Sequence, residues 1–147
     1  MEQSQKQPYL TGKVEDVMMV DPLTIAEDES IAALVEMFLT YHFHGVPVVN
    51  AKGRLVGVAR DSEVLAMFVA REPFVVRYRT VRDIMHVPPF TISPDATIQR
   101  AALKMFVDGT RFLVVVGEGQ KIKGIVTRID LIKGIRWKDA DSRHKAT

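Results

Sequence analysis

The chain has 147 residues, 47% hydrophobic and 26% charged, with a formal net charge of +2, which is the balance of a globular protein long enough for one domain or two small subdomains. It has no cysteine, which excludes a disulfide framework and thiolate chemistry. No apolar run approaches the roughly 20 residues that span a bilayer, and the polar start Met1–Pro8 lacks the apolar core of a signal peptide, so a soluble, cytoplasmic protein with no membrane contact is expected.

Taken in order, the chain reads as one unit written twice. Val14-Glu15-Asp16-Val17-Met18 returns 67 residues later as Val81-Arg82-Asp83-Ile84-Met85, and Pro22-Leu23-Thr24-Ile25 returns as Pro89-Phe90-Thr91-Ile92. Asp28 meets Asp95, Ile31 meets Ile98, Val48-Val49 meet Val115-Val116, and Gly57 meets Gly124. Over residues 14–66 there are 12 identities in 53 positions without a gap, and such internal repetition organises a fold before any single motif does.

Each unit opens with a short extended piece, Leu23–Ile25 or Phe90–Ile92. Asp28 and Asp95 follow as expected N-caps. An amphipathic helix comes next, with Ile31, Leu34, Val35 and Phe38 in the first unit and Ile98, Ala101, Ala102 and Met105 in the second. Spacings of three and four make these the core face of a helix. Two β-branched runs then flank a Gly-bearing turn, the signature of a hairpin. They are Gly45–Val49 and Leu55–Ala59 in the first unit, Phe112–Val116 and Ile122–Val126 in the second. A last helix is predicted over 62–70 and again over 128–135.

The predicted class is therefore mixed α and β (α+β), with the order β-α-β-β-α twice. The expected boundaries are repeat 1 over 10–70, a linker over 71–80, repeat 2 over 81–136 and a polar tail over 137–147. Each repeat is too small to bury both faces of a three-stranded sheet alone. The two should pack sheet to sheet about an approximate two-fold axis, leaving two related clefts, and interfaces of that kind are preferred ligand sites.

The chemistry concentrates in Gly124-Ile125-Val126-Thr127-Arg128-Ile129-Asp130. A strand hands over to a helix at Thr127, so free helix amides, a hydroxyl, an Arg and a carboxylate crowd one sheet edge, a place to hold a sugar and its phosphates. Thr-x-x-Asp is also a capping pattern that serves the helix's own amides. Basic residues cluster over 71–82, in and just after the linker (Arg71, Arg77, Arg79, Arg82), and towards the end (Arg128, Lys133, Arg136, Lys138, Arg143, Lys145). These suit an anionic partner or a solvated surface, and neither cluster has the aromatic interleaving of a single-strand binder. The four histidines, His42, His44, His86 and His144, have no metal or triad spacing, although His42 and His44 would share a face on a strand. No metal site, no cofactor and no enzyme activity are expected.

With its doubled unit, its Asp-Val-Met and Asp-Ile-Met openings, His-Gly-Val-Pro-Val-Val (44–49) and Gly-Ile-Val-Thr-Arg-Ile-Asp (124–130), the chain resembles a stand-alone tandem pair of cystathionine-β-synthase (CBS) domains. The resemblance covers roughly residues 10–136. It implies a regulatory module that binds an adenosine-containing ligand (AMP, ADP, ATP or S-adenosylmethionine) between the repeats, forms a homodimeric disc and signals to a regulated protein by changing shape. It places Thr127 at ribose and phosphate and Asp130 on the ribose hydroxyls, with Ile125 and Val126 beside them. Thr24, Phe43, His44, Gly45 and Pro47 would form the opposite wall, with Phe43 against adenine. Arg128 is the first choice for phosphate and His44 the second.

The first repeat departs from this pattern. Arg60 stands where the second has Thr127, and Glu63 where it has Asp130. The second cleft, expected around Arg60, Glu63, Thr110, Arg111 and Phe112, should be degenerate: empty, or a weaker anion site. Two alternatives stand beside the sensor, a structural dimer with vestigial sites and a weak nucleic-acid binder using the basic linker and tail.

Overall fold

The structure, a computed structural model, describes residues 5–69 and 78–139. The first repeat's own sheet has three strands, β3 (Ile25–Ala26), β4 (Gly45–Val49) and β5 (Leu55–Arg60). Strand β3 runs parallel to β4, and β4 is antiparallel to β5. The second repeat matches it with β6 (Thr91–Ile92), β7 (Phe112–Val116) and β8 (Ile122–Thr127) in the same pairing. Helices α2 (Ile31–Tyr41) and α4 (Ile98–Asp108) each join the first two strands of a repeat. Short helices α3 (Asp61–Ala66) and α5 (Arg128–Ile132) follow the last strands. The α+β class and the doubled unit are those the sequence implies.

The two sheets face each other across a shared layer of Leu55, Val58, Phe112, Val114 and Ile125. Alternation along the strands makes this possible, because period-two side chains reach both faces. Behind each sheet lies a separate core: Leu34, Val46, Val48 and Ala59 in one, Ile98, Met105, Leu113 and Val126 in the other.

The openings of the two units exchange places. Helix α1 (Val14–Val17) inserts Val14, fully buried, into the core of the second repeat. Val81, at the equivalent position, is buried in the core of the first. Strand β2 (Met19–Val20) pairs with β8 through Met19↔Ile125, and the equivalent residues Val58 and His86 bridge in the same antiparallel sense. The approximate two-fold is thus built into backbone hydrogen bonds, 3.1 and 2.7 Å long at the Val58–His86 bridge.

Three local expectations are corrected. The N-caps of α2 and α4 are Ser30 and Thr97, whose hydroxyls accept from the Ala33 and Arg100 amides at 3.1 Å, not Asp28 and Asp95. A hydroxyl directly before the first helical residue reaches the third amide, whereas a carboxylate two residues earlier lies outside the turn. The last helix of repeat 2 ends at Ile132 rather than Ile135, and its counterpart in repeat 1 ends at Ala66, with Ala70 outside the described residues.

A strand spans the expected boundary between repeat 2 and the tail. Ile135–Asp139 is a strand, β9, antiparallel to β1 (Lys6–Leu10). The turn into β9 needs Gly134, where a Cβ would lie 2.9 Å from the Thr11 carbonyl oxygen and 2.6 Å from Ile98 Cδ1. No helix among the described residues is long and apolar enough to cross a membrane.

Candidate functional site

Strand β8 leaves the sheet at Thr127 and α5 begins at Arg128. The junction is a full capping box. Thr127 Oγ1 accepts from the Asp130 amide at 3.3 Å, and Asp130 Oδ2 accepts from the Thr127 amide at 2.9 Å and its hydroxyl at 3.1 Å. The other carboxylate oxygen, Oδ1, accepts from Lys133 Nζ at 3.2 Å. Asp130 is buried, and the three hydrogen bonds its carboxylate accepts, two from Thr127 and one from Lys133, satisfy it without any ligand.

A cavity of about 460 Å³ opens beside this junction. One side comes from the second repeat: Ile125, Thr127, Arg128 and Ile129, with Arg111 and Phe112 at the start of β7. The other comes from the first: Met19, Pro22 and Leu23, then the run from His42 to Pro47. The lining is mostly apolar, and its charged residues are both arginines. Two Arg and two His line it, with no Asp or Glu among the described lining residues. Arg128 lies over the Phe106 ring, 5.8 Å from its centroid. His44 Nδ1 is 3.5 Å from Asp61 Oδ2.

The structure brings Phe43, His44, Gly45, Pro47, Ile125, Thr127 and Arg128 together on this cavity. It does not bring Thr24, Val126 or Asp130 to its walls. Val126 points into the core of the second repeat because it alternates with Ile125 and Thr127 along β8. Thr24 precedes β3, and the loop residues Pro22 and Leu23 take the wall instead. Asp130 turns back to the cap. Gly45 has a packing reason of its own: a Cβ there would lie 2.5 Å from Phe112 Cε1.

The residues expected around a second cleft also separate. Arg111 and Phe112 belong to the first cavity because Phe112 pairs directly with Thr127 across β7 and β8. Thr110 is buried and donates its hydroxyl to the Phe112 carbonyl at 3.2 Å. Arg60 and Glu63 do meet: Arg60 Nη2 and Nε lie 2.6 to 3.1 Å from the Glu63 carboxylate. Donation of these hydrogen bonds to the Glu63 carboxylate raises the Arg60 pKa above its already high value. His42 and His44 do not share a strand face. His42 closes α2 in the left-handed region (φ 59°), the place that Gly109 takes in α4.

Met19, Pro22, Leu23, His42, Val46 and Ile129 also line the cavity, although none is among the binding positions expected from the sequence. The repeat alignment held one signal for His42, which falls opposite Gly109 at the end of the helix. Met19 had none, since a two-residue strand carries no periodicity.

A profile of the CBS domain matches residues 14–70 and 81–136. The chain is 26% identical over 131 residues to an A-adding tRNA nucleotidyltransferase of Aquifex aeolicus, covering 89% of this chain but only 15% of that enzyme. In structure it is similar to CBSX2, solved in complex with AMP, with a TM-score of 0.75, 24% identity and coverage of 82% of this chain and 93% of that one. It is also similar to the CBS domain pair of protein MJ0100, solved with 5′-methylthioadenosine and S-adenosyl-L-methionine, with a TM-score of 0.73, 22% identity and coverage of 84% and 94%. Two matched repeats, two sheets packed face to face and one cavity walled by both repeats together make this chain a member of the CBS-domain family, a tandem CBS pair.

Proposed function

We propose that the chain is a regulatory, non-catalytic module that binds an adenosine nucleotide in the Thr127 cavity. The observation that carries this is the wall composition: an apolar slot of nucleoside size, edged by Arg111, Arg128, His42 and His44, with no carboxylate among the described lining residues and Asp61 set behind His44. Such an edge favours phosphate over the sulfonium of S-adenosylmethionine. AMP in CBSX2 and the S-adenosyl ligand in MJ0100 support adenosine as the shared part. Adenine would lie among Leu23, Phe43, Pro47 and Ile125. Ribose would meet Thr127, which Asp130 holds in place through the capping box. Signalling follows from any difference in affinity between two arrangements of the repeats.

Calorimetric titration with AMP, ADP, ATP and S-adenosylmethionine tests this. One phosphorylated ligand should saturate near one site per chain, and Asp130→Ala should weaken it at least tenfold. Tighter binding of S-adenosylmethionine than of all three nucleotides would refute the phosphate assignment. No heat from any of the four would refute the sensor.

The homodimer implied by the family has a matching surface. Leu39 and Leu65 in the first repeat and their equivalents Phe106 and Ile132 in the second are 56–74% exposed on helices α2 to α5. Apolar faces of this kind mark protein contacts. Sedimentation equilibrium should find a dimer, and Phe106→Asp should shift it to monomer; a wild-type monomer would refute the disc. Most of the basic linker and the end of the tail lie outside the described residues.

A further inference from the structure

The 67-residue offset between the repeats carries the walls of the cavity over to the opposite cleft. Thr127, Met19 and Leu23 line the cavity. Their equivalents are Arg60, His86 and Phe90, and these are in contact. The Phe90 ring stacks on the His86 imidazole with centroids 4.6 Å apart. The Arg60 guanidinium carbon lies over the same Phe90 ring, 4.9 Å from its centroid. Glu63, the equivalent of Asp130, holds the same guanidinium through three hydrogen bonds. The Arg60 and Glu63 side chains are only 20% and 14% exposed, so this is not a solvated surface pair. A planar cation stacked on an aromatic face and held by a carboxylate is a complete recognition set.

We propose that Arg60 fills the second cleft as a built-in ligand and is the residue that limits this chain to one bound nucleotide. Its guanidinium is the planar group on Phe90, and Glu63 takes up its charge. Arg60 ends β5 of the first repeat, whereas Phe90 precedes β6 of the second. The stack therefore joins the repeats on this side whatever occupies the other cavity. Emptied of Arg60, the Phe90–Glu63 cleft selects a free planar cation of the guanidinium class. Only the stoichiometry depends on the nucleotide reading above; the filling of the cleft does not.

Two experiments separate these. Thermal melting of Arg60→Ala is followed with methylguanidinium and with methylammonium. The variant should melt several degrees below wild type, recover at least half of the loss in methylguanidinium and recover none in methylammonium, while wild type gains nothing. The same response in variant and wild type would overturn the filling. If Arg60→Ala does not fold, Arg60→Lys, which keeps the charge and loses the planar fork, is melted under the same conditions with the same expectation. In the second experiment, Arg60→Thr with Glu63→Asp is titrated with AMP and ATP. Its binding sites should rise from one to two per chain, and one site in both proteins would overturn the role of Arg60 in stoichiometry. Binding to neither protein would remove the nucleotide reading, and the melting experiment would still decide the filling.

Discussion

Ile98→Ala is expected to lower stability by about 2–5 kcal/mol, the range for truncating a fully buried aliphatic side chain. Ile98 opens α4 with no exposed surface. Its amide donates to the Gly12 carbonyl at 3.1 Å, and its Cδ1 fills the space in front of Gly12 and Gly134. It therefore fastens three segments distant in sequence: the chain before α1, the start of α4 and the turn after α5. A cavity there has backbone on two sides and collapses poorly. The fall in melting temperature should be on the order of 10 °C for a chain of this length. Ile31 occupies the equivalent place in the first repeat but is only partly buried, so Ile31→Ala should cost clearly less. Urea denaturation with an unchanged m-value measures both. Equal costs for the two variants would contradict the asymmetric packing of the repeats.

Gly124→Ala should cost about 1–3 kcal/mol through overpacking and should also weaken ligand binding. A Cβ at Gly124 would lie 2.6 Å from the Met19 carbonyl oxygen and 2.9 Å from Met18 Sδ. Backbone cannot step aside as a side chain can, so the methyl must push β2 off β8. Met19 is a wall of the cavity, and its displacement links stability to affinity. Gly57 is the internal control. There the closest atom is Met85 Sδ at 2.8 Å, on a flexible side chain, with the His86 carbonyl oxygen at 3.0 Å. Gly57→Ala should cost less and leave the Thr127 cavity intact. Denaturation together with calorimetry on both variants checks this, and an unchanged affinity in a destabilised Gly124→Ala would detach β2 from the site.

The element reading succeeded where the pattern is local. The hairpins 45–59 and 112–126 have Gly-bearing turns between β-branched runs, and α2 and α4 have a clean apolar stripe. It missed β1 and β9, which are largely exposed along both strands and so show no alternation, and whose partners lie at opposite ends of the described chain. Asp28 and Asp95 are good caps by residue type, but Ser30 and Thr97 stand two residues closer to the helix and take the role. At the site, the motif residues Thr127 and Arg128 and the run Phe43 to Pro47 could be picked out because their spacing is local. The side of the strand on which each residue lies was less secure, as Val126 shows.

The sequence by itself determined that this chain is one unit made twice, with the same strands, helices and turns in each copy, because hydrophobic periodicity and turn chemistry act over a few residues. It also marked Arg60 and Glu63 as the first repeat's departures from the Thr127–Asp130 motif. Only the tertiary structure decided that Val14 and Val81 cross into each other's repeat, that Arg111 and Phe112 join Thr127 on one cavity, and that Arg60 closes on Glu63 and Phe90. Those outcomes depend on which sheet edges and cores are left unfilled when two half-domains pack. That is a property of surfaces meeting in space, and no short stretch of chain contains it.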